Sequence, residues 1–150
     1  MPMTIGERGE HIVSKILPKA TRVFEKPGHD FILPNDQKLE VKCTYGSMDK
    51  IVLFTRPRPE KREVRVWSNS IADHLLVLTR KSIYLIRAAD LRSFIESNPP
   101  SPSARHKYRF PLKLKTVVEK GLAVEYPRAN FKDVEASRKF LNEHFGVKVA

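Results

Sequence analysis

One short stretch of the chain combines residue types that can bind a divalent cation and act on a phosphate ester. In Leu39-Glu40-Val41-Lys42-Cys43, apolar residues alternate with an acid and a base. Because side chains of a β-strand point alternately to opposite faces, Glu40 and Lys42 should project together while the apolar residues face the core. Lys42 could then orient or deprotonate an attacking water, or stabilise the negative charge that develops during reaction.

A second acid, Asp30, opens the preceding apolar segment, and the turn residues Pro34-Asn35-Asp36-Gln37 separate the two segments. The pattern predicts a β-hairpin. If Asp30 pairs opposite Glu40, their β-carbons lie roughly 4.5–5.5 Å apart, close enough for the carboxylates to share a cation. This pairing requires an odd-length turn or a bulge, since a two-residue turn at Asn35-Asp36 would pair Asp30 with Val41. The expected cation is Mg²⁺, which binds one or two protein carboxylates together with waters and phosphate oxygens.

An N-terminal helix, an acid, a hairpin and a Glu-x-Lys sequence together resemble the PD-(D/E)xK nuclease superfamily. In that family an Asp and a Glu or Asp on adjacent strands bind metal, and a Lys follows two positions after the second acid. The resemblance implies that Asp30 and Glu40 are metal ligands and that Lys42 is catalytic. His29 stands where the family name has proline.

The first helix supplies a further candidate acid. Many members of the family carry a helix glutamate in a Gly-Glu context, and the match here is Gly9-Glu10. The resemblance therefore implies a catalytic role for Glu10. Glu7 is the alternative, although a capping box formed with Thr4 already accounts for it.

The resemblance can be narrowed by the sequence that follows the hairpin. The stretch VRVWSNSIADHLLVLT at residues 64–79, followed by IYLI at residues 83–86, is similar to small members encoded within bacterial group I introns. Such members are homing endonucleases, which make a double-strand break in the intronless allele. The similarity implies a site-specific, Mg²⁺-dependent endonuclease of double-stranded DNA, with Mn²⁺ as a substitute metal. Three alternatives stay open: a structure-specific nuclease such as a Holliday junction resolvase, a non-catalytic DNA-binding protein on the same fold, and a surface hairpin whose Glu and Lys are merely solvated.

The overall charge is consistent with a polyanionic partner. Lys and Arg total 28 against 17 Asp and Glu, giving a formal net charge of +11. A small domain this basic repels itself unless a polyanion offsets the charge. The start of the chain lacks the apolar core of a signal peptide, and no apolar run approaches the roughly 18 residues of a membrane span. A single cysteine excludes an intramolecular disulfide. We expect a cytoplasmic, nucleoid-associated protein with no membrane partner.

Two basic segments are candidate DNA contacts. The first is a proline-containing loop, and the second is the basic side of an alternating segment over residues 107–118. Arginines in a groove can reach guanine edges, whereas lysines reach phosphates. The candidate residues are Arg56, Arg58, Lys61, Arg62, Arg65, Lys107, Arg109, Lys113 and Lys115.

Periodicity and turn signals predict the elements that position these residues. The predicted helices cover residues 5–17, 89–97 and 131–145, and the predicted strands cover residues 29–33, 38–44, 51–55, 75–78, 83–86 and 107–118. With the resemblance, this pattern implies one α/β domain over residues 1–150, a restriction-endonuclease-like mixed central sheet flanked by helices. Its core would cover about residues 1–97, and an added C-terminal strand and helix about residues 104–150.

A double-strand break requires two active sites, and one domain of this size offers one. An even-numbered homo-oligomer would place two identical sites on opposite strands. We therefore expect a dimer or a tetramer. The surfaces available for self-contact would be the helix over residues 131–145 and the apolar side of residues 107–118, unless both cover the sheet of their own subunit.

Overall fold

A mixed sheet organises the computed structural model, which describes residues 5–23, 30–44, 50–54, 71–98, 109–127 and 134–145. The elements in chain order are α1 (Ile5–Ile16), β1 (Thr21–Arg22), β2 (Phe31–Ile32), β3 (Lys38–Cys43), β4 (Lys50–Phe54), β5 (His74–Leu78), β6 (Ser82–Arg87), α2 (Ala88–Ser97), β7 (Arg109–Lys113), α3 (Leu114–Glu119), β8 (Ala123–Pro127) and α4 (Val134–Phe145).

The larger sheet of the described residues has six strands in the order β1-β2-β3-β5-β6-β8. The β3–β5 pair is parallel, and the other neighbouring pairs are antiparallel. A separate two-stranded sheet joins β4 to β7. The expected mixed sheet flanked by helices is therefore present.

The larger sheet buries apolar side chains on both faces. On β5, Leu76 and Leu78 belong to the cluster that contains residues of α1 and α4, while Leu75 and Val77 belong to the cluster formed with α2, α3 and β4. These four side chains are at most 1% exposed. A strand buried on both faces reads as a continuous apolar run, which is why the sequence LLVL predicts a strand.

The C-terminal elements join the same core and do not form an outlying extension. Phe140 and Leu141 of α4 pack with residues of α1, and Leu112 and Leu114 are buried in the opposite cluster. The Arg138 guanidinium donates to the Lys15 carbonyl at 2.6 Å, which anchors α4 to the last turn of α1. Four apolar residues of the segments expected to offer self-contact are thus buried within their own chain.

The segment over residues 107–118 was predicted as one strand, and this is wrong beyond Lys113. The strand β7 ends there and α3 begins at Leu114. A helix places Leu114 and Val117, three positions apart, together against the core. Lys113 and Lys115 therefore do not belong to one row on a strand face.

The strands β1 and β8 were not predicted. Each occupies an edge of the larger sheet within the described part of the chain. Only Ala123 is buried in β8, where Val124 is 42% exposed, so the strand lacks the apolar alternation that would reveal it. None of the helices in the described ranges has the length and apolar composition that a bilayer crossing requires.

Candidate active site

A three-residue loop sets the register of the hairpin that carries the predicted acids. The Leu33 amide donates to the Gln37 carbonyl at 2.8 Å, and Asp36 adopts a positive φ of 66°. Loops of this length commonly end on a left-handed residue, a conformation that Asp tolerates better than most residues. Phe31 consequently pairs with Leu39, where the paired register of β2 and β3 ends, and the position of Asp30 opposite Glu40 stays a prediction. The predicted odd-length turn is confirmed.

Asp30 is fixed through its backbone and its side chain. Its amide donates to the Leu39 carbonyl, and its carbonyl accepts from the Val23 amide, both at 2.8 Å. Its carboxylate Oδ2 accepts from the Val41 amide, also at 2.8 Å. Val41 stands between Glu40 and Lys42, so the Asp30 carboxylate reaches the stretch of β3 where the other candidate residues lie. A carboxylate has several acceptor positions, and this bond leaves capacity for a cation.

Glu10 is the helix acid that lies beside Asp30. Burial raises the pKa of the Glu10 carboxyl; the Asp30 carboxyl raises it further through its charge and a hydrogen bond, while Arg22 opposes the rise. The Arg22 Nη2 atom lies 2.9 Å from Glu10 Oε2. Glu7, by contrast, is exposed in the first turn of α1. The structure thus brings Glu10, and not its rival, to the candidate site.

Close contact between α1 and β3 brings Glu10 to this position. A β-carbon on Gly9 would lie 2.5 Å from the Cys43 β-carbon, a distance at which something must shift. Glycine therefore lets the helix lie directly on the strand. The next residue of the helix, Glu10, then reaches the edge of β3 near Asp30.

Glu40 and Lys42 lie on the opposite face of β3 from α1. In the parallel register they stand beside Leu75 and Val77, whose side chains belong to the cluster of α2 and α3. Glu40 is only 8% exposed and Lys42 is half-buried. Burial strengthens the electrostatic interactions of such a carboxylate, because screening by water is reduced.

The candidate residues therefore surround one edge of β3. Glu10 approaches from the α1 face, Glu40 and Lys42 belong to the other face, and Asp30 joins the strand at its edge. Over the described ranges, no group of three or more His, Cys, Asp or Glu side chains is arranged to hold a metal ion. The predicted metal ligands are two carboxylates, and their joint coordination of an ion stays a prediction.

The predicted DNA contacts fall mostly beyond what the structure describes. Lys113 and Lys115 are exposed, on the end of β7 and on α3 respectively. Arg109 lies in β7, but its side chain is outside the described part. The residues outside the described ranges altogether are Arg56, Arg58, Lys61, Arg62, Arg65 and Lys107.

Sequence reasoning missed Arg22 and interpreted Asp73 as structural. Arg22 lies on a strand of two residues, too short for any periodic signal. The Asp73 carboxylate accepts from the Lys38 amide at 2.8 Å, and the Asp73 amide donates to the Lys38 carbonyl at 2.8 Å. Asp73 thus fastens the start of β5 to the start of β3, a structural role.

Comparison with known proteins does not assign the chain to a family, since neither a protein-family model nor a curated protein matches it.

Proposed function

We propose that the protein is a metal-dependent endonuclease of double-stranded DNA, with Asp30 and Glu40 as ligands of Mg²⁺. The observation that carries the proposal is the Asp30 carboxylate, bonded at 2.8 Å to the amide between Glu40 and Lys42 and adjacent to Glu10. The Asp30 carboxylate thus connects Glu10 of α1 with the stretch of β3 that carries Glu40 and Lys42.

The donor set is consistent with a hard divalent cation. Carboxylate oxygens are the protein ligands that Mg²⁺ prefers, and it needs only one or two of them. When bound, the ion lowers the pKa of a coordinated water and neutralises charge at the scissile phosphate. Mn²⁺ is the expected substitute.

Each remaining residue then has a task in phosphodiester hydrolysis. Lys42 is the only basic side chain of the four, and its ammonium group would orient the attacking water or stabilise negative charge on the phosphate. Glu10 would accept a proton or hold a water near Asp30. Two acids this close together repel each other, and binding of a cation relieves that repulsion.

Charge supports nucleic acid as the substrate. The net charge of +11 offsets phosphates, and Lys113 and Lys115 are exposed on the described surface. The resemblance noted in the sequence narrows the proposal to a site-specific homing endonuclease, which would place the protein with the nucleoid. A restriction-endonuclease-like fold is part of the same proposal.

A cleavage assay tests the proposal. Linear plasmid carrying candidate sites and a synthetic four-way junction are each incubated with the protein, with Mg²⁺ or with a chelator. We expect discrete double-strand products from the linear duplex only when Mg²⁺ is present. Selective cutting of the junction would indicate a structure-specific nuclease instead. DNA binding without cleavage of either substrate would indicate a non-catalytic binding protein and refute the enzyme assignment.

Double-strand cleavage also implies an assembly with an even number of subunits. Leu112 of β7 and Phe140 and Leu141 of α4 are buried within the chain, so these three side chains do not offer a surface for contacts between copies. Light scattering at micromolar concentration should give a mass of at least twice 17.3 kDa. A monomer mass under those conditions would contradict this part of the proposal.

A further inference from the structure

One ion pair at the candidate site joins the short strand β1 to the helix acid Glu10. The Arg22 Nη2 atom of β1 lies 2.9 Å from Glu10 Oε2 of α1, and both side chains are about one quarter exposed, at 27% and 26%. An ion pair with this much exposure contributes little to the free energy of folding. The conformation of the Glu10 side chain is therefore the more consequential effect of the contact.

The strand that carries Arg22 also holds the second acid. Val23, the next residue, donates its amide to the Asp30 carbonyl at 2.8 Å, and Arg22 itself pairs with Phe31. Two consecutive residues thus fix both acids, Glu10 through a side chain and Asp30 through the backbone. The position of one carboxylate relative to the other depends on this short strand.

Glutamate needs such a restraint more than aspartate does in this setting. The Asp30 carboxylate is already bonded to the Val41 amide, whereas Glu10 has a longer side chain and lies next to a like charge. An Arg guanidinium presents several N–H donors in a rigid plane and so fixes direction as well as charge. Without the Arg22 guanidinium, the longer Glu10 side chain could adopt other staggered rotamers.

We propose that Arg22 is a positioning residue that holds the Glu10 carboxylate beside Asp30 in the metal-binding site. This inference rests on the proposed function, because it assigns Arg22 a task in the same site. Arg22 acts through Glu10 and does not itself contact the reacting atoms.

The test is a double-mutant cycle on the full chain, with Mg²⁺ binding measured by isothermal titration calorimetry and DNA cleavage measured in parallel. Partners that orient a metal site typically change affinity or activity by about 10- to 100-fold, and we expect Arg22→Gln to weaken both by that factor. Loss of a positive charge alone would strengthen cation binding, so the sign separates positioning from simple electrostatics. Arg22→Lys should recover part of the loss, because it keeps the charge and one donor group.

The cycle is completed in the Glu10→Gln background. There, Arg22→Gln should have no further effect on either measurement, since the group that it positions has been changed. Unchanged or tighter Mg²⁺ binding by Arg22→Gln, or additive losses in the double variant, would overturn the inference.

Arg138 provides a matched control. It also pairs with a glutamate, Glu135, at 3.3 Å, its side chain is 33% exposed, and it joins α4 to α1 away from the acids. Arg138→Gln should lower the melting temperature and leave Mg²⁺ affinity unchanged. An equal loss of affinity would make the Arg22 effect a general loss of structure and overturn the inference.

If wild-type protein neither binds Mg²⁺ nor cleaves DNA, the proposed function fails, and the role of Arg22 fails with it. If the wild type cleaves DNA and the Arg22→Gln variant has the same Mg²⁺ affinity and cleavage, only the inference about Arg22 is refuted.

Discussion

The two sides of β3 differ in what its backbone amides bond to within the described residues. Toward β5, the parallel register continues from Leu39 to Cys43. Toward β2, strand pairing within the described residues covers Leu39 and Lys38, and the next β3 amide on that side, that of Val41, bonds to the Asp30 carboxylate. A strand amide that bonds to a side chain fixes that side chain in place, and here the side chain is one of the candidate acids.

Burial follows the same division. Leu75, Leu76 and Val77 of β5 are at most 1% exposed and lie between helices on both faces. Asp30, Glu10 and Arg22 are each partly exposed, although Phe31 and Leu39 beside them are buried. The centre of the sheet contributes stability, while these three polar side chains keep contact with solvent.

The largest expected effect is loss of DNA cleavage when the candidate acids beside and on β3 are substituted. Asp30→Asn and Glu40→Gln should each abolish cleavage, because each removes a charged metal ligand and leaves the shape nearly unchanged. In Asp30→Asn the side-chain amide oxygen can still accept from the Val41 amide, so the melting temperature should change little. DNA affinity, measured by gel shift, should be equal or higher, because a charge that repels phosphate is lost. Near-wild-type cleavage by either variant would refute the metal assignment.

The complementary substitution lies on β5, at the buried centre of the sheet. Leu76→Ala should lower the free energy of unfolding by about 2–5 kcal/mol, since Leu76 is 1% exposed and its truncation leaves a cavity. Urea denaturation measures this, and Mg²⁺ affinity of the folded variant should be unchanged. Ile71→Ala is the control: Ile71 is 53% exposed, and its loss should change stability by less than about 0.5 kcal/mol. Equal destabilisation by both would contradict the division between centre and surface.

At the contact between α1 and β3, one substitution should have a smaller effect on both stability and Mg²⁺ binding. Gly9→Ala places a methyl group 2.5 Å from the Cys43 β-carbon, so we expect destabilisation of about 1–3 kcal/mol, reduced by the roughly 1 kcal/mol that Ala gains in helix propensity. The helix must move away from the strand, and Glu10 moves with it, which should also weaken Mg²⁺ binding. Adding Cys43→Gly should recover part of both losses, whereas adding Cys43→Ala should not, because the nearest contact is with the β-carbon. Recovery by Cys43→Ala would mean that the sulfur atom causes the strain.

The sequence predicted elements whose signal is local and periodic. The strands β3, β5 and β6 carry apolar runs or alternation, and α1 carries buried Val13 and Ile16, with buried Leu17 directly after its end. The hairpin register followed from the same local information, because turn length and alternation together restrict the pairing.

What the sequence could not predict depends on tertiary contacts. Arg22 acquires its role only when α1 packs on β3, and no periodicity in a strand of two residues reveals it. The segment over residues 107–118 alternates in apolar character along its length, yet Leu114 and Val117 reach the core as a helix. Alternation and helical spacing overlap over so short a segment, and packing against β8 and α2 decides between them.

The smallest expected effect concerns the basic surface and the salt dependence of DNA binding. Lys113 ends β7 and Lys115 lies on α3, so the two ammonium groups do not form one strand row, although both are exposed. If each contacts a phosphate, Lys113→Gln and Lys115→Gln should each reduce the slope of log affinity against log salt by about 0.9, for specific and non-specific duplex alike. Lys139→Gln is the control, because α4 packs on the opposite face of the sheet from α3, and its salt slope should equal that of the wild type. Equal reductions in all three variants would mean that DNA responds to the net charge of the protein and that neither lysine marks a defined contact surface.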